Sequence, residues 1–255
     1  MIKVQNVSKS YQGKAVLEHI DVSIPRGGIT SIIGPNGAGK STLLSTMGRL
    51  LPLESGSVHI NGLDIQKTSS DILAQNVSIL RQENQFSARL TVDELVSFGR
   101  YPYSKGRLTQ EDRQIIKESL EFSDLTGLSS RFLDELSGGQ RQRAYVAMVL
   151  CQNTDYVLLD EPLNNLDMKH SVQMMRQIRR AADELGKTIV LVVHDLNFAV
   201  AYSDQIVAIK QGRIAYDGPV DGLMDEEKLE GIFDTRIKVD LYKDKKFCVY
   251  YRVDD

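Results

Sequence analysis

Tryptophan is missing from this chain of 255 residues, and cysteine is nearly so: only Cys151 and Cys248 occur. The two thiols lie far apart and beside no cluster of other metal-ligating residues. That excludes a disulfide scaffold and a thiolate metal site, and leaves two lone thiols in a reducing compartment. Long hydrophobic runs are also missing. Apolar stretches such as Ile189 to Val193 are far too short to span a bilayer. The opening Met1-Ile-Lys-Val-Gln-Asn-Val7 lacks the apolar segment of a secretory signal. A chain neither secreted by that route nor inserted in a membrane is expected. There is no large charge excess, since 31 basic and 34 acidic residues leave a formal net charge of -3. Overall charge therefore does not draw the chain to nucleic acid. Internal repeats, heptad runs and low-complexity linkers are absent too.

What remains is an ordinary globular composition, 42% hydrophobic and 25% charged, in a length that suits one large domain or two small lobes. The N-terminal part is β-rich. Ile2 to Val7 and Val16 to Ile24 carry near-alternating apolar residues around a Gln12-Gly13 turn, and Glu54 to Gly62 reads as turn, strand, turn. Val77 to Leu80 is a further short strand, ending before Gln82. From about Val92 to Leu150 the spacing becomes helical, with Thr109 as a cap followed by acidic residues. Arg100 to Gly106, with its proline and glycine, reads as a loop. Short strands return at Tyr156 to Leu159 and Thr188 to Val193, with a helix over Ser171 to Leu185 between them. That order implies a parallel sheet. A strand–turn–strand over Gln205 to Ile214 and a hairpin between Ile237 and Val253, turning around Lys243 to Lys246, complete the chain.

The densest signal is Gly34-Pro35-Asn36-Gly37-Ala38-Gly39-Lys40-Ser41-Thr42, which fits the phosphate-loop pattern G-x-x-x-x-G-K-[ST]. It lies between the apolar run Ile29 to Ile33, a buried strand, and a helical pattern beginning at Ser41. Glycines let successive backbone N–H groups turn toward phosphate oxygens, and the helix N-terminus adds its positive end. Lys40 reaches the β- and γ-phosphates, and the Ser41 hydroxyl suits Mg²⁺. A second signal is Val157-Leu-Leu-Asp160-Glu161-Pro162, two acids closing an apolar strand, where parallel sheets bind ligands. Asp160 suits Mg²⁺, directly or through water, and Glu161 suits orienting and deprotonating an attacking water. A third is Leu136-Ser137-Gly138-Gly139-Gln140 at the start of an apolar helix, a second anion-binding end beside the first. Locally it is also a plain helix cap.

These motifs, in this order, resemble the ATP-binding-cassette ATPases, whose signature Leu136 to Gln140 matches letter for letter. The resemblance covers nearly the whole chain. It implies an α/β fold: a P-loop NTPase, RecA-like core with an N-terminal antiparallel β subdomain (about 1–82 and 153–255) and an inserted α-helical subdomain (about 83–152). It gives Tyr11 as the ring stacked on adenine, Gln82 as the residue sensing Mg²⁺ and the membrane partner, and His194 as the switch histidine at the γ-phosphate. The loop Asn164 to Asp167 is implied to cross a dimer interface, although Leu163 stands where many members carry a small polar residue. Taken alone, a tyrosine such as Tyr11 is more often a packing residue, and His194-Asp195 reads as a strand end capping the next helix. His19, His59 and His170 match nothing.

The resemblance further implies two copies placed head to tail, with ATP between Lys40 of one and Ser137 of the other. It also implies a peripheral site on the cytoplasmic face of the cell membrane, permease subunits docked near Gln82, and an extracytoplasmic binding protein acting at one remove. The surface expected for docking is Glu83 to Ser104, with Phe86, Tyr101 and Tyr103. Ser97-Phe-Gly-Arg-Tyr-Pro-Tyr103 and Leu158-Leu-Asp-Glu-Pro-Leu-Asn-Asn-Leu-Asp-Met168 are phrases similar to those of iron–siderophore, haem and vitamin B12 importer ATPases. A cassette serving another importer, a non-transport cassette protein, and a nucleotide-binding regulator without turnover are the rivals. Intact Lys40, Asp160, Glu161 and His194 stand against the last.

Overall fold

The computed structural model describes residues 1–82 and 88–251. The expected positions Glu83 and Phe86, and Val253 at the tail, lie outside the described residues. Two long strands open the chain, β1 (Ile2–Tyr11) and β2 (Lys14–Ile24), followed by β3 (Gly28–Ile33), α1 (Lys40–Met47), β4 (Ser55–Ile60), β5 (Leu63–Asp64), α2 (Ser70–Ala74) and β6 (Val77–Leu80). A helical stretch comes next: α3 (Val92–Ser97), α4 (Tyr101–Ser104), α5 (Gln110–Phe122) and α6 (Gly138–Cys151). Strands and helices then alternate: β7 (Tyr156–Asp160), α7 (Met168–Glu184), β8 (Thr188–Val192), α8 (Leu196–Tyr202) and β9 (Gln205–Lys210). The last elements are β10 (Arg213–Pro219), α9 (Val220–Leu223), α10 (Glu226–Phe233), β11 (Lys238–Tyr242) and β12 (Lys245–Val249).

The central sheet has the order β10-β9-β3-β8-β7-β6, parallel except for the antiparallel edge strand β10. Its middle strands are buried on both faces, as parallel strands covered by helices must be. The period of two divides each strand between two cores. Ile29, Val157, Leu159, Ile189 and Leu191 face the cluster shared with α3, α6 and α7. Ile32, Leu158, Val190 and Val207 face the opposite cluster, shared with α1 and the antiparallel sheet β2-β1-β4-β5. One parallel sheet is thus held between a helical layer and a second, antiparallel sheet.

Three expectations from sequence shift. Of Arg100 to Gly106 only Lys105 and Gly106 turn: residues Phe98–Arg100 form a 3-10 turn that runs into α4, with Pro102 in the first turn of that helix where its missing N–H costs nothing. The helix expected from Ser171 begins at Met168, because the Asp167 side chain caps it by accepting from the His170 backbone N–H at 2.8 Å. The C-terminal hairpin turns on Lys243 and Asp244 alone, both with positive φ, as a two-residue turn requires. No helix among the described residues is long and apolar enough to cross a membrane.

Candidate functional site

The parallel strands β3, β6, β7 and β8 all end on one side of the sheet, and each delivers one part of the site from its carboxyl end. β3 runs into the glycine loop. Gly34 takes φ +140, and a Cβ there would fall 2.0 Å from the Ile209 carbonyl oxygen on β9, so only glycine lets the loop leave the sheet at this angle. Gly39, at φ +107, caps α1 in the left-handed region, with Val16 O and Leu17 Cδ2 each 2.8 Å from where a Cβ would sit. The loop therefore folds tightly against β2 and β9. Lys40 is buried beneath it, and its Nζ donates to the carbonyls of Gly34 and Pro35, both at 2.9 Å. Burial pushes the Lys40 ammonium below its ordinary range, and the charges of Glu161 and Asp160 pull it back up.

β7 delivers the two acids. Asp160 Oδ1 accepts from the Ser41 hydroxyl at 2.8 Å. Burial raises the Asp160 carboxyl above its usual value, and the Ser41 hydrogen bond partly offsets this. Glu161 lies past the end of the strand with φ +50, a left-handed conformation that is costly for a residue with a side chain. That turn sends its carboxylate back over the sheet edge, where both oxygens are engaged. Oε1 lies 2.6 Å from His194 Nε2, and Oε2 accepts from Gln82 Nε2 at 2.8 Å and from Asn164 Nδ2 at 2.7 Å. Gln82 follows β6, and His194 follows β8.

These groups line one cavity of about 570 Å³: Tyr11, Val16, Asn36, Gly37, Gly39, Lys40, Ser41, Thr42, Gln82, Glu161 and His194. The half-exposed Tyr11 ring stands at its rim at the end of β1. The expected residues of the glycine loop and of the three following strand ends thus converge. Asn164 and Val16 were missed as neighbours of this site. Asn164 was legible only as part of a loop expected to face a partner, and Val16 only as one apolar residue of a strand.

The signature segment is not part of that cavity. Ser137 caps α6: its Oγ accepts from the Gln140 N–H at 3.3 Å, and Gln140 Oε1 accepts from the Ser137 N–H at 3.0 Å. Ser137 and Gly138 are exposed. Ser137 and Gly138 thus bring the N-terminal end of α6 to the surface, and the N–H groups of a helix start favour negative charge.

Comparison with known proteins gives the family and the fold. The family model for ABC transporters matches residues 17–164. The petrobactin import ATP-binding protein FatE of Bacillus anthracis is 58% identical over 239 residues, covering 94% of this chain and 96% of its own. The petrobactin import ATP-binding protein YclP of Bacillus subtilis (strain 168) is 53% identical over 251 residues, covering 98% of this chain and 100% of its own. Among solved structures, the cassette MJ0796, described as a dimer in a post-hydrolysis state bound to ADP and Pi, aligns with a TM-score of 0.76 at 29% identity. The match covers 86% of this chain and 99% of that one. A P-loop nucleotide core of α/β architecture, with an antiparallel sheet on one face and a helical lobe carrying Ser137 to Gln140, thus has both family and structural counterparts, and the chain belongs to the ABC transporter family.

Proposed function

We propose that this chain is the ATP-hydrolysing subunit of an importer for iron–siderophore complexes, working as two facing copies beneath a membrane permease. The observation that carries this reading is the 53–58% identity, over nearly the full length of both chains, to two proteins named for petrobactin import. Composition adds nothing about cargo, because the ATPase has no need to touch it.

ATP is taken in the cavity of the glycine loop, with Tyr11 against the base and Lys40 at the phosphates. Glu161 acts as the base for the attacking water. Gln82, Asn164 and His194 fix its two oxygens before any substrate arrives, so little reorganisation is needed at the reacting step. The oxygen donors Ser41 and Asp160, already 2.8 Å apart, fit the hard-oxygen preference of Mg²⁺, and Gln82, which lines the same cavity as Ser41, has a further donor oxygen in its amide. The ion would neutralise phosphate charge there. The second phosphate grip, Ser137 to Gln140, has Ser137 and Gly138 exposed and lies off the cavity of its own chain, which supports a partner copy supplying it. The dimeric MJ0796 structure supports the same assembly. Asp167 is placed in the loop that would cross between copies. We assign residues of about 1–82 and 153–255 to the nucleotide core and 83–152 to the inserted lobe.

The permease contact is assigned to the start of the lobe, where Tyr101 and Tyr103 are exposed, although their helix packs at the end of β6 away from Gln82, with Gln75 Nε2 donating to the Pro102 carbonyl and the Tyr103 hydroxyl to the Gln152 carbonyl. Aromatic rings favour such interfaces. The extracytoplasmic binding protein would act only through the permease. The test is uptake of radioiron–petrobactin in a strain lacking this gene. Uptake is expected to vanish, to return with the parental gene, and to stay absent with Lys40→Ala. Unchanged uptake in the deletion strain would reject the cargo assignment.

A further inference from the structure

We infer that His170 is a positioning residue that clasps the Asn164–Asp167 loop to the N-terminal end of α6. Through it, the carboxylate site of one copy and the signature segment offered to the other copy move as a unit. The inference rests on the two-copy reading above.

His170 matched no motif, yet it sits where two functional segments meet. The Asp167 carboxylate accepts twice from this one residue, from its backbone N–H at 2.8 Å and from ring Nδ1 at 2.7 Å. These bonds hold the Asp167 carboxyl below its usual range, so it is the acceptor and Nδ1 carries the proton. The other edge of the ring faces the signature. A Cβ built on Gly139 would lie 2.5 Å from His170 Cδ2 and 2.6 Å from Cγ. The ring therefore fills the space left by the missing side chain of Gly139, one residue into α6. Beside it, the Asn165 carbonyl lies 3.9 Å from where a Cβ on Gly138 would be.

At its other end the loop is tied to the hydrolytic carboxylate. The Asn164 N–H donates to the Glu161 carbonyl at 3.1 Å, and the Asn164 amide donates to Glu161 Oε2 at 2.7 Å. A path therefore runs by contact from Glu161 to Asn164, along the backbone to Asp167, and by contact again to His170 and Gly139. Glu161 belongs to the nucleotide of its own chain, whereas Gly138 and Gly139 belong to the nucleotide of the partner. A packed element shared by two sites in this way is what energetic coupling requires. The helix cap itself does not depend on the ring, because the backbone N–H of any residue at 170 supplies it. Loss of the ring should thus spare the fold and strike the coupling.

The experiment uses the full chain in the Glu161→Gln background, with ATP-dependent dimer formation followed by sedimentation velocity and ATP affinity of the monomer by fluorescent nucleotide. With His170→Ala, monomer affinity is expected to hold while the ATP concentration needed for dimer rises about tenfold. In the otherwise parental enzyme, the Hill coefficient for ATP hydrolysis should fall toward one. Asparagine puts Nδ2 where the ring has Nδ1 and Oδ1 where it has Cδ2. His170→Asn should therefore restore most of the dimer formation. If the Glu161→Gln protein alone forms no dimer with ATP, the two-copy reading fails. If it does and His170→Ala dimerises at the same ATP concentration, or His170→Asn is no better than His170→Ala, the clasp is refuted while the dimer stands.

Discussion

Glu161 Oε1 lies 2.6 Å from His194 Nε2, bridging the ends of the neighbouring strands β7 and β8. The carboxylate is 9% exposed and the imidazole 44%, so the buried partner is held and the exposed one can meet a ligand. With Oε2 taken by Gln82 and Asn164, Glu161 has one orientation, set from three other segments of the chain.

Glu161→Gln keeps the shape and the cavity but removes the carboxylate proposed as the base. Phosphate release is expected to slow by about 10²-fold or more, the usual scale for a positioned general base. Nucleotide binding should persist, and a dimer with trapped ATP should accumulate. Turnover at the parental rate in a steady-state phosphate assay would show that another group activates the water.

Lys40→Ala removes the ammonium that donates to the Gly34 and Pro35 carbonyls and is proposed to meet the phosphates. A charge-assisted hydrogen bond contributes about 1.5–3 kcal/mol, so ATP should bind at least about tenfold more weakly. Calorimetry with ATP checks this, and an unchanged affinity would show that the ammonium does not meet the phosphates.

The parts of this site legible in sequence are those where backbone geometry dictates residue type. Gly34 must be glycine because Ile209 O stands where a Cβ would be, and Lys40 follows at a fixed offset. Asp160 and Glu161 stood out because acids rarely close an apolar strand. The contacts of Asn164 were not legible, because they depend on Glu161 taking a left-handed φ that no local pattern announces. His170 was invisible for a related reason. Its partner Gly139 is about thirty residues away in sequence, and only the packing of α7 against α6 brings them together. The start of α7 was misplaced by three residues because Asp167 reads as a loop acid until its capping bond is seen.

Ser137→Arg tests the exposed signature. The arginine has no room problem in the isolated chain, where Ser137 is exposed, and costs only the helix cap, about 1 kcal/mol. Nucleotide binding by the monomer should therefore be normal. Closure against a partner should fail, because a long cation replaces a small hydroxyl at the anion-facing end. Equal ATP-dependent dimer in parent and variant on size-exclusion chromatography would contradict the assignment.

Asp112→Asn probes the joint between α4 and α5. Arg100 Nε donates to Asp112 Oδ1 at 2.8 Å, with both side chains at most 5% exposed, and Asp112 Oδ2 accepts from the Thr109 N–H and hydroxyl at 2.9 Å. Burial alone would raise this carboxyl, but the hydrogen bonds from Thr109 and Arg100 outweigh it and hold the carboxyl below the usual range. An asparagine leaves the Arg100 charge buried without its counter-ion, at a cost of about 3–5 kcal/mol. The sign with pH follows from the depressed value. Stability from the ionised carboxylate is complete above the unfolded pKa of about 3.9 and is lost as pH falls through the lower folded value. In urea titrations the gap between parent and variant should therefore be constant from neutral pH to about 5 and should narrow below about 4. A gap of the same size at pH 3 and pH 7 would mean that the lost contribution is packing and not the charge pair.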